Sequence, residues 1–327
     1  MKKHLIAAAV AGAVAVPAMA QVTVSGRLDV GYTMYDAQDN TKDLSEIGYS
    51  SDTTSRITFK ADEDLGGGLK AGLVLEGQIA ADAGKGTTTQ DAGSTFSAFS
   101  RGQYLTLSGG FGAVRMGLAN SVSKDTVEGF GSASDGTNVI GTLHNLLSAD
   151  DSRNHQVRYS TPKTSGFQAH LEVMSKDANN DETGSGSGLA LAYATGPVSA
   201  QVAYRKEDTS ATQEVVQTSA GFKVGLGMLA LHVLYSDIEN DVAKTGENGY
   251  EVGISSKFGG GASVFASYAK NEVEAASGAK TDEDGMTAGI RYALSKRTNA
   301  YLIYGKTDAD GSNKEVTQTA IGLVHKF

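Results

Sequence analysis

Apolar and polar residues alternate along most of the chain, which is typical of β-strands whose two faces meet different surroundings. In residues 22–34 one face is formed by Val, Leu, Tyr and Met, and the other by Thr, Ser, Arg and Asp. The alternation returns at intervals up to 315–327, where Ile321 and Leu323 lie on the face opposite to Lys326. The pattern predicts an all-β fold of about sixteen strands. They are expected at 22–34, 56–62, 69–79, 98–108, 113–119, 154–161, 167–175, 187–195, 198–206, 216–224, 228–237, 249–258, 262–271, 285–294, 300–308 and 315–327.

The connections alternate between short turns and long polar loops. Short turns such as 109–112 and 259–261 are rich in glycine, whereas 36–53, 176–186 and 238–248 are longer and polar. This layout is typical of an outer-membrane β-barrel, with short turns at one end and long loops at the other. The polar face carries Arg, Lys and Glu, which line water more readily than they form a dry core. The sequence therefore predicts an antiparallel transmembrane β-barrel, with a soluble β-sandwich as the alternative.

The first twenty residues have the pattern of a secretory signal peptide. Lys2 and Lys3 precede an apolar run at 5–16 that is too short to span a bilayer, and Ala18-Met19-Ala20 fits a cleavage site. We expect residues 1–20 to be removed and 21–327 to form the barrel. A retained N-terminal anchor helix is the alternative.

Composition narrows the classes of partner. The formal net charge of −9 argues against nucleic acid as a partner. The absence of cysteine excludes disulfides and thiolate metal sites. Residues 282–285 and 308–313 resemble calcium loops only faintly and fit solvated turns better. We therefore expect no metal and no cofactor.

Residues 120–153 form the longest predicted connection. They combine several glycines with an apolar cluster that includes Leu143, Leu146 and Leu147. A loop of this length is uncommon in a compact protein unless it has a function. We expect it to fold into the barrel, pack its leucines against the wall and narrow the lumen; a mobile surface loop is the alternative.

Several segments together resemble the trimeric general porins of Gram-negative bacteria, of the type common in β-proteobacteria. The segments that carry the resemblance are 24–31, 55–71, 111–117, 157–162, 292–299 and the terminal Gly322-Leu323-Val324-His325-Lys326-Phe327, and Ser55–Ala71 is the most specific of them. The chain departs from the family at Val324, where an arginine usually precedes the terminal His-Lys-Phe. It also lacks a clear copy of the usual loop tip, for which Glu128-Gly129-Phe130-Gly131 is the nearest segment.

The resemblance implies a sixteen-stranded barrel that assembles as a homotrimer in the Gram-negative outer membrane, among lipid and lipopolysaccharide. It implies that the third long loop, 120–153, forms the constriction. It also implies that Phe327 is the signal read by the barrel-assembly machinery. The function implied is passive diffusion of small hydrophilic solutes and ions through a water-filled channel.

The alternation also indicates which charges face the lumen. Eleven bases and five acids share the polar faces of the predicted strands. Our hypothesis is that bases on the early strands face acids of the loop across the constriction and favour anions modestly. The bases are Arg27, Arg56, Lys70, Arg115 and Arg158, and the loop acids are Asp125, Glu128 and Asp135. In the alternative interpretation, these bases pair with nearby acids and anchor the loop. The faces of 98–108 and 300–308 are ambiguous, so Arg101 and Lys306 are not assigned.

A substrate-specific channel and an outer-membrane hydrolase are the two alternative functions. A substrate-specific outer-membrane channel would need an aromatic path or a dedicated site, and few aromatics besides Phe265 and Tyr35 are expected in the lumen. An outer-membrane hydrolase would need a serine activated by a histidine. None of the histidines in the barrel region lies in a recognisable nucleophile motif. We therefore expect a channel and no enzyme.

Overall fold

The computed structural model of the chain describes residues 21–37, 44–79, 99–131, 140–147, 153–175, 185–210, 213–310 and 315–327. These residues form seventeen strands, two α-helices and a 3₁₀ turn at Gly259–Gly261. The strands are β1 (Gln21–Ala37), β2 (Leu44–Tyr49), β3 (Arg56–Gly66), β4 (Leu69–Gln78), β5 (Gly102–Gly109), β6 (Gly112–Asn120), β7 (Arg153–Ser160), β8 (Phe167–Met174), β9 (Ser185–Thr195), β10 (Val198–Ser210), β11 (Gln213–Leu226), β12 (Leu229–Asn240), β13 (Thr245–Lys257), β14 (Ala262–Glu274), β15 (Lys280–Ala293), β16 (Thr298–Ala309) and β17 (Val316–Lys326). The helices are α1 (Val122–Phe130) and α2 (Leu143–Leu146). In the part of the chain that is described, no helix is long and apolar enough to cross a lipid bilayer.

The strands form one closed antiparallel sheet. Each strand from β3 onwards pairs with the next, and β17 pairs with β1 over eleven residue pairs from Arg27–Lys326 to Ala37–Val316. Both β2 and β3 pair with β1, so together they make one strand that is interrupted at residues 50–55. The ring therefore has sixteen positions, and the predicted sixteen-stranded barrel is confirmed.

The last residue closes this ring against the first strand. The Gly26 amide donates to the Phe327 carbonyl and the Phe327 amide donates to the Gly26 carbonyl, both at 3.0 Å. The Phe327 ring lies so close to Gly26 that a side chain at this position would overlap it. The seam is thus paired to the end of the chain, which leaves no open edge there.

The two faces of the sheet divide as the alternation predicts. Tyr32 is 45% exposed on the outside and its neighbour Thr33 is buried, and Leu171 and Val173 are exposed on either side of buried Glu172. The outer face is largely apolar, as contact with lipid requires, whereas the inner face carries the polar and charged residues.

The sequence-based expectation of a loop over 36–53 is wrong in part. Residues 44–49 form β2, in which Ile47 lies on the outer face and is 69% exposed. A six-residue strand with Glu46 and Gly48 on its inner face has no clear two-faced pattern. The periodicity of the sequence therefore missed it.

Between β2 and β3, residues 50–55 turn into the lumen, and we refer to them as the inward turn. All six are buried. The Asp52 and Thr53 amides donate to Asp29 Oδ2 at 2.7 and 2.8 Å, and the Asp52 carboxylate pairs with Arg291 of β15 at 2.6 Å. The inward turn therefore bridges the inner wall from β1 to β15, across the seam.

A small apolar cluster lies under this bridge. It contains Phe265, Tyr301, Ile303, Ala320 and Val324. Tyr301 donates to Asp29 Oδ1 at 2.8 Å, and the Arg291 guanidinium lies over the Phe265 ring. The cluster explains the departure at Val324, because a charged side chain there would have to enter this apolar packing.

We predict that Asp29→Ala destabilises the barrel. Asp29 is fully buried and accepts three hydrogen bonds, so its removal leaves buried donors without partners. The free energy of unfolding, measured by urea titration in lipid vesicles, should fall by about 3 kcal/mol. Asp36→Ala, at an exposed position of the same strand, is the matched control and should change little. Equal losses in the two variants would contradict the bridging role.

Candidate functional site

Helix α1 lies inside the barrel because inward side chains hold its first turn. The Val122 amide donates to both Glu172 carboxylate oxygens at 3.1 and 3.2 Å, and the Ser121 side chain caps the helix by accepting from the Lys124 amide. A carboxylate at this end also interacts favourably with the helix dipole. At the other end, Phe130 packs on Gly221 of β11, where any side chain would overlap the ring.

The second part of the 120–153 segment is held in the same way. The Leu143 amide donates to Glu251 Oε2 at 2.8 Å, and the Ile140 amide donates to Gln318 Oε1 at 2.9 Å. Leu143, Leu146 and Leu147 pack with wall side chains of β12 and β14, as expected from the sequence. The described parts of this segment, 121–131 and 140–147, therefore line the inner wall and do not extend into solvent.

Arg158 joins the segment to the wall. Its guanidinium contacts Asp125 at 2.5 Å, Glu172 at 2.6 Å and the Asn120 carbonyl at 2.6 Å, and the side chain is buried. A buried arginine paired with two carboxylates has little charge left to offer a passing ion. For Arg158, this geometry matches the anchoring interpretation.

The open side of α1 faces a cavity of about 160 Å³. Its charged lining consists of Arg56, Arg101 and Arg115 on the wall, together with Glu76, Asp125 and Glu128. Glu76 pairs with Arg101 at 3.2 Å and with Arg56 at 3.6 Å. The cavity is thus lined by three bases and three acids.

Two further contacts shape this cavity. Arg115 lies over the Tyr104 ring, 5.0 Å from its centre, and donates to the Asn120 carbonyl. Glu128 accepts from Asn120 Nδ2 at 2.9 Å and pairs with Lys124 and Arg153 at 3.4 and 3.6 Å. Wall bases and loop acids therefore line the same cavity, although some of them are already paired with other residues.

A second cavity of about 410 Å³ adjoins the first on the short-turn side, and both are lined by Arg56 and Glu76. Its other charged residues are Arg27, Lys60 and Lys326. Phe327 also lines it, and the terminal carboxylate adds one negative charge. This second cavity is clearly basic.

The predicted site residues fall into three groups. Arg27, Arg56, Arg115, Asp125 and Glu128 line the two cavities. Lys70 and Arg158 line neither cavity: Arg158 is buried against Asp125 and Glu172, and Lys70 is exposed near the Gly66–Gly68 turn. Asp135 lies outside the described residues.

Sequence reasoning missed Arg101 and Tyr104. The register of β4 and β5 sets Tyr104 opposite inward Val74, which places its ring at the cavity. Arg101 lies just before β5 and reaches the cavity through its contact with Glu76. Leu105 and Leu107 alternating with Thr106 and Ser108 would have indicated this face, but Gln103 on the outer side obscured the pattern.

One contact bears on the hydrolase alternative. Ser160 Oγ lies 2.8 Å from His170 Nδ1. Neither residue lines the two cavities. A hydrogen bond of this kind satisfies two polar side chains and does not by itself make a nucleophile.

Comparison with known proteins decides the family. The family model described as "Gram-negative porin" matches residues 7–312. The chain belongs to the Gram-negative porin family. It is 33% identical to outer membrane porin protein 32 of Delftia acidovorans over 325 residues, which cover 92% of this chain and 88% of that protein.

Solved structures agree with the fold of this porin. The anion-selective porin from Comamonas acidovorans is similar with a TM-score of 0.78, 24% identity and coverage of 94% of this chain and 100% of that one. The trimer form of OmpT of Vibrio cholerae is similar with a TM-score of 0.70, 16% identity and coverage of 94% and 99%.

Family and fold together define the function in outline. The porin is an outer-membrane channel for the passive diffusion of small hydrophilic solutes. Its relatives are channels and not enzymes. That the chain catalyses no reaction stays a prediction.

We predict that Glu172→Gln loosens α1. The change keeps the volume of the side chain but removes the charge that holds both Arg158 and the Val122 amide, at a cost of about 1.5–3 kcal/mol. Single-channel recordings in planar bilayers should show more current noise in the open state. Glu207→Gln is the matched control, because Glu207 is an equally buried wall acid that pairs with Arg205. Equal noise in the two variants would show that Glu172 does not hold the helix.

Proposed function

We propose that this porin is a general diffusion channel with a modest preference for anions, narrowed between α1 and the wall of β3–β7. The observation that carries the proposal is the charge along the two adjoining cavities. Their bases are Arg27, Arg56, Lys60, Arg101, Arg115 and Lys326. Their acids are Glu76, Asp125, Glu128 and the terminal carboxylate. The two cavities together therefore carry a net positive charge, although the whole chain has a formal net charge of −9.

The excess of positive charge lies on the short-turn side and not at the narrowest level. At α1, bases and acids balance, so the field there runs across the pore from wall to helix. Below it, the exposed Lys60 and Lys326 add charge with few acids nearby, beside the buried Arg27. Charges act over about 8–10 Å at physiological salt, so this basic cavity still influences ions at the narrow level. The anion-selective porin from Comamonas acidovorans, to which the fold is similar, supports this reading.

Tyr104 is the feature that favours the alternative of a substrate-specific channel. With Arg115 stacked on it, this ring offers an apolar surface beside a charge at the narrow level. Block of the single-channel current by a candidate solute at low concentration would support a dedicated site. A general porin passes small solutes without such saturation.

The assembly of the porin is part of the same proposal. We propose a homotrimer, which the trimer form of the similar OmpT of Vibrio cholerae supports. Residues 1–20 would direct export and be removed, the barrel-assembly machinery would insert 21–327, and lipid and lipopolysaccharide would surround the barrel. Residues 120–153 would form the constriction loop.

We predict that the basic cavity sets the ion preference. Lys60→Ala/Lys326→Ala should lower the ratio of anion to cation permeability about two-fold or more, because it removes two charges from the path. Arg115→Ala should act in the same direction. Reversal potentials in a salt gradient measure the ratio.

Lys257→Ala is the control for this measurement. Lys257 is an exposed base at the end of β13 that lines neither cavity, so its removal should leave the ratio nearly unchanged. A cation preference in the unaltered porin, or equal effects of Lys257→Ala and the double variant, would refute the proposal.

We also predict that the Phe327 ring matters more for assembly than for conduction. Phe327→Ala keeps the two backbone hydrogen bonds to Gly26 but removes the ring that packs there. The amount of heat-modifiable porin in outer membranes should fall, while conductance per assembled channel stays unchanged. Phe327→Tyr, which keeps an aromatic end, should assemble normally. Normal assembly of Phe327→Ala would show that the barrel-assembly machinery does not need the aromatic ring.

A further inference from the structure

The outer surface of the barrel has a concave apolar region where a convex wall is expected. It extends over β12–β16 and encloses a volume of about 790 Å³ with almost entirely apolar walls. Ile254, Ala266, Ala288, Ile290, Tyr304 and Phe258 are among its lining residues. We refer to it as the outer groove.

The register of the strands explains the groove. Ile254, Ala266, Ala288 and Tyr304 are direct neighbours in one row across four strands. Because the two central residues are alanines between large side chains, the row has a depression at its middle. Large apolar side chains border it in the next row as well, at Val264, Ile290 and Leu302. The groove therefore results from the small side chains at the centre of the outer face, and the strand pairing beneath it is unbroken.

The groove runs from this row towards the short-turn end, where Met228, Leu229 and Phe258 line it. From Ile254 to Phe258, which both line it, the groove spans four residues, or about 13 Å. One leaflet of a bilayer has a hydrocarbon thickness of about 15 Å. The length of the groove thus matches an acyl chain of the leaflet on the short-turn side.

The short turns beside the groove are basic. The three turns at 225–229, 257–262 and 294–299 contain Lys257, Lys296 and Arg297 and no Asp or Glu. Lys296 and Arg297 are exposed in the turn between β15 and β16, whose strands form the floor of the groove. Exposed bases at the membrane surface attract anionic headgroups.

We propose that the outer groove binds an acyl chain of an anionic phospholipid whose phosphate lies against Lys296 and Arg297. An apolar groove that faces the hydrocarbon and ends at a basic turn supplies both parts of such a site. Burial of the chain favours binding in proportion to the apolar area covered, and the bases select the headgroup. This site is separate from the pore and does not depend on the ion preference proposed above.

The test uses the full-length porin in mild detergent with equal amounts of phosphatidylglycerol and phosphatidylethanolamine. Native mass spectrometry measures which lipid stays bound. The unaltered porin should retain phosphatidylglycerol in preference to phosphatidylethanolamine. Ala288→Phe fills the depression and should lower the bound lipid about five-fold or more. Lys296→Ser/Arg297→Ser should retain lipid but lose the preference between the two headgroups.

Ala220→Phe is the matched control. Ala220 lies on the outer face of β11 between Val202 and Tyr235, outside the groove, and its replacement adds the same ring to the surface. Heat-modifiable migration shows that each variant is folded. Equal lipid binding by Ala288→Phe and Ala220→Phe would overturn the proposal. So would unchanged lipid binding with a loss of oligomers in Ala288→Phe, which would show that a second copy of the chain covers the groove.

Discussion

The whole structure depends on one constraint: backbone amides and carbonyls in a bilayer must find partners within the protein. A sheet meets this constraint only when its two edges pair, so β1 and β17 must meet in register. Their eleven residue pairs and the reciprocal bonds between Gly26 and Phe327 fulfil it. Once the ring closes, the two-residue period divides every strand between lipid and water, and all inward charges face one enclosed space.

That enclosed space is then shaped by wall carboxylates. Glu172 and Glu251 are buried and each accepts a hydrogen bond from a backbone amide at the start of a helix in the 120–153 segment. A buried carboxylate without such partners would destabilise the wall, and a helix start without an acceptor would leave its amides unpaired. Each therefore stabilises the other, and the segment is held at two separate places on the wall. The position of the segment against the inner wall thus rests on these hydrogen bonds as well as on apolar packing.

Sequence reasoning succeeded where one periodic signal decides the structure. Strand number, the lumen face of Arg27 and Arg56, and the packing of Leu143 all follow from alternation or from an apolar cluster in a long loop. It failed at β2 and the inward turn, because a strand of six residues is too short to carry a clear alternation. It also could not foresee that Arg158 would be buried, since pairing with Asp125 and Glu172 depends on where the loop settles. Periodicity gives the face of a residue but not its partners.

Close pairing with carboxylates separates two roles among the bases of the inner wall. Arg158 and Arg291 are each paired with a carboxylate at 2.6 Å or closer, and each fixes an inward segment to the wall. Lys60 and Lys326 line an open cavity instead, where water and passing ions compete for their charge. A fixed pair contributes mainly to shape, whereas a solvated base contributes to the potential that an ion meets. We therefore expect the bases that the fold leaves in water to set the ion preference of the pore, and the bases that it pairs with carboxylates to set its shape.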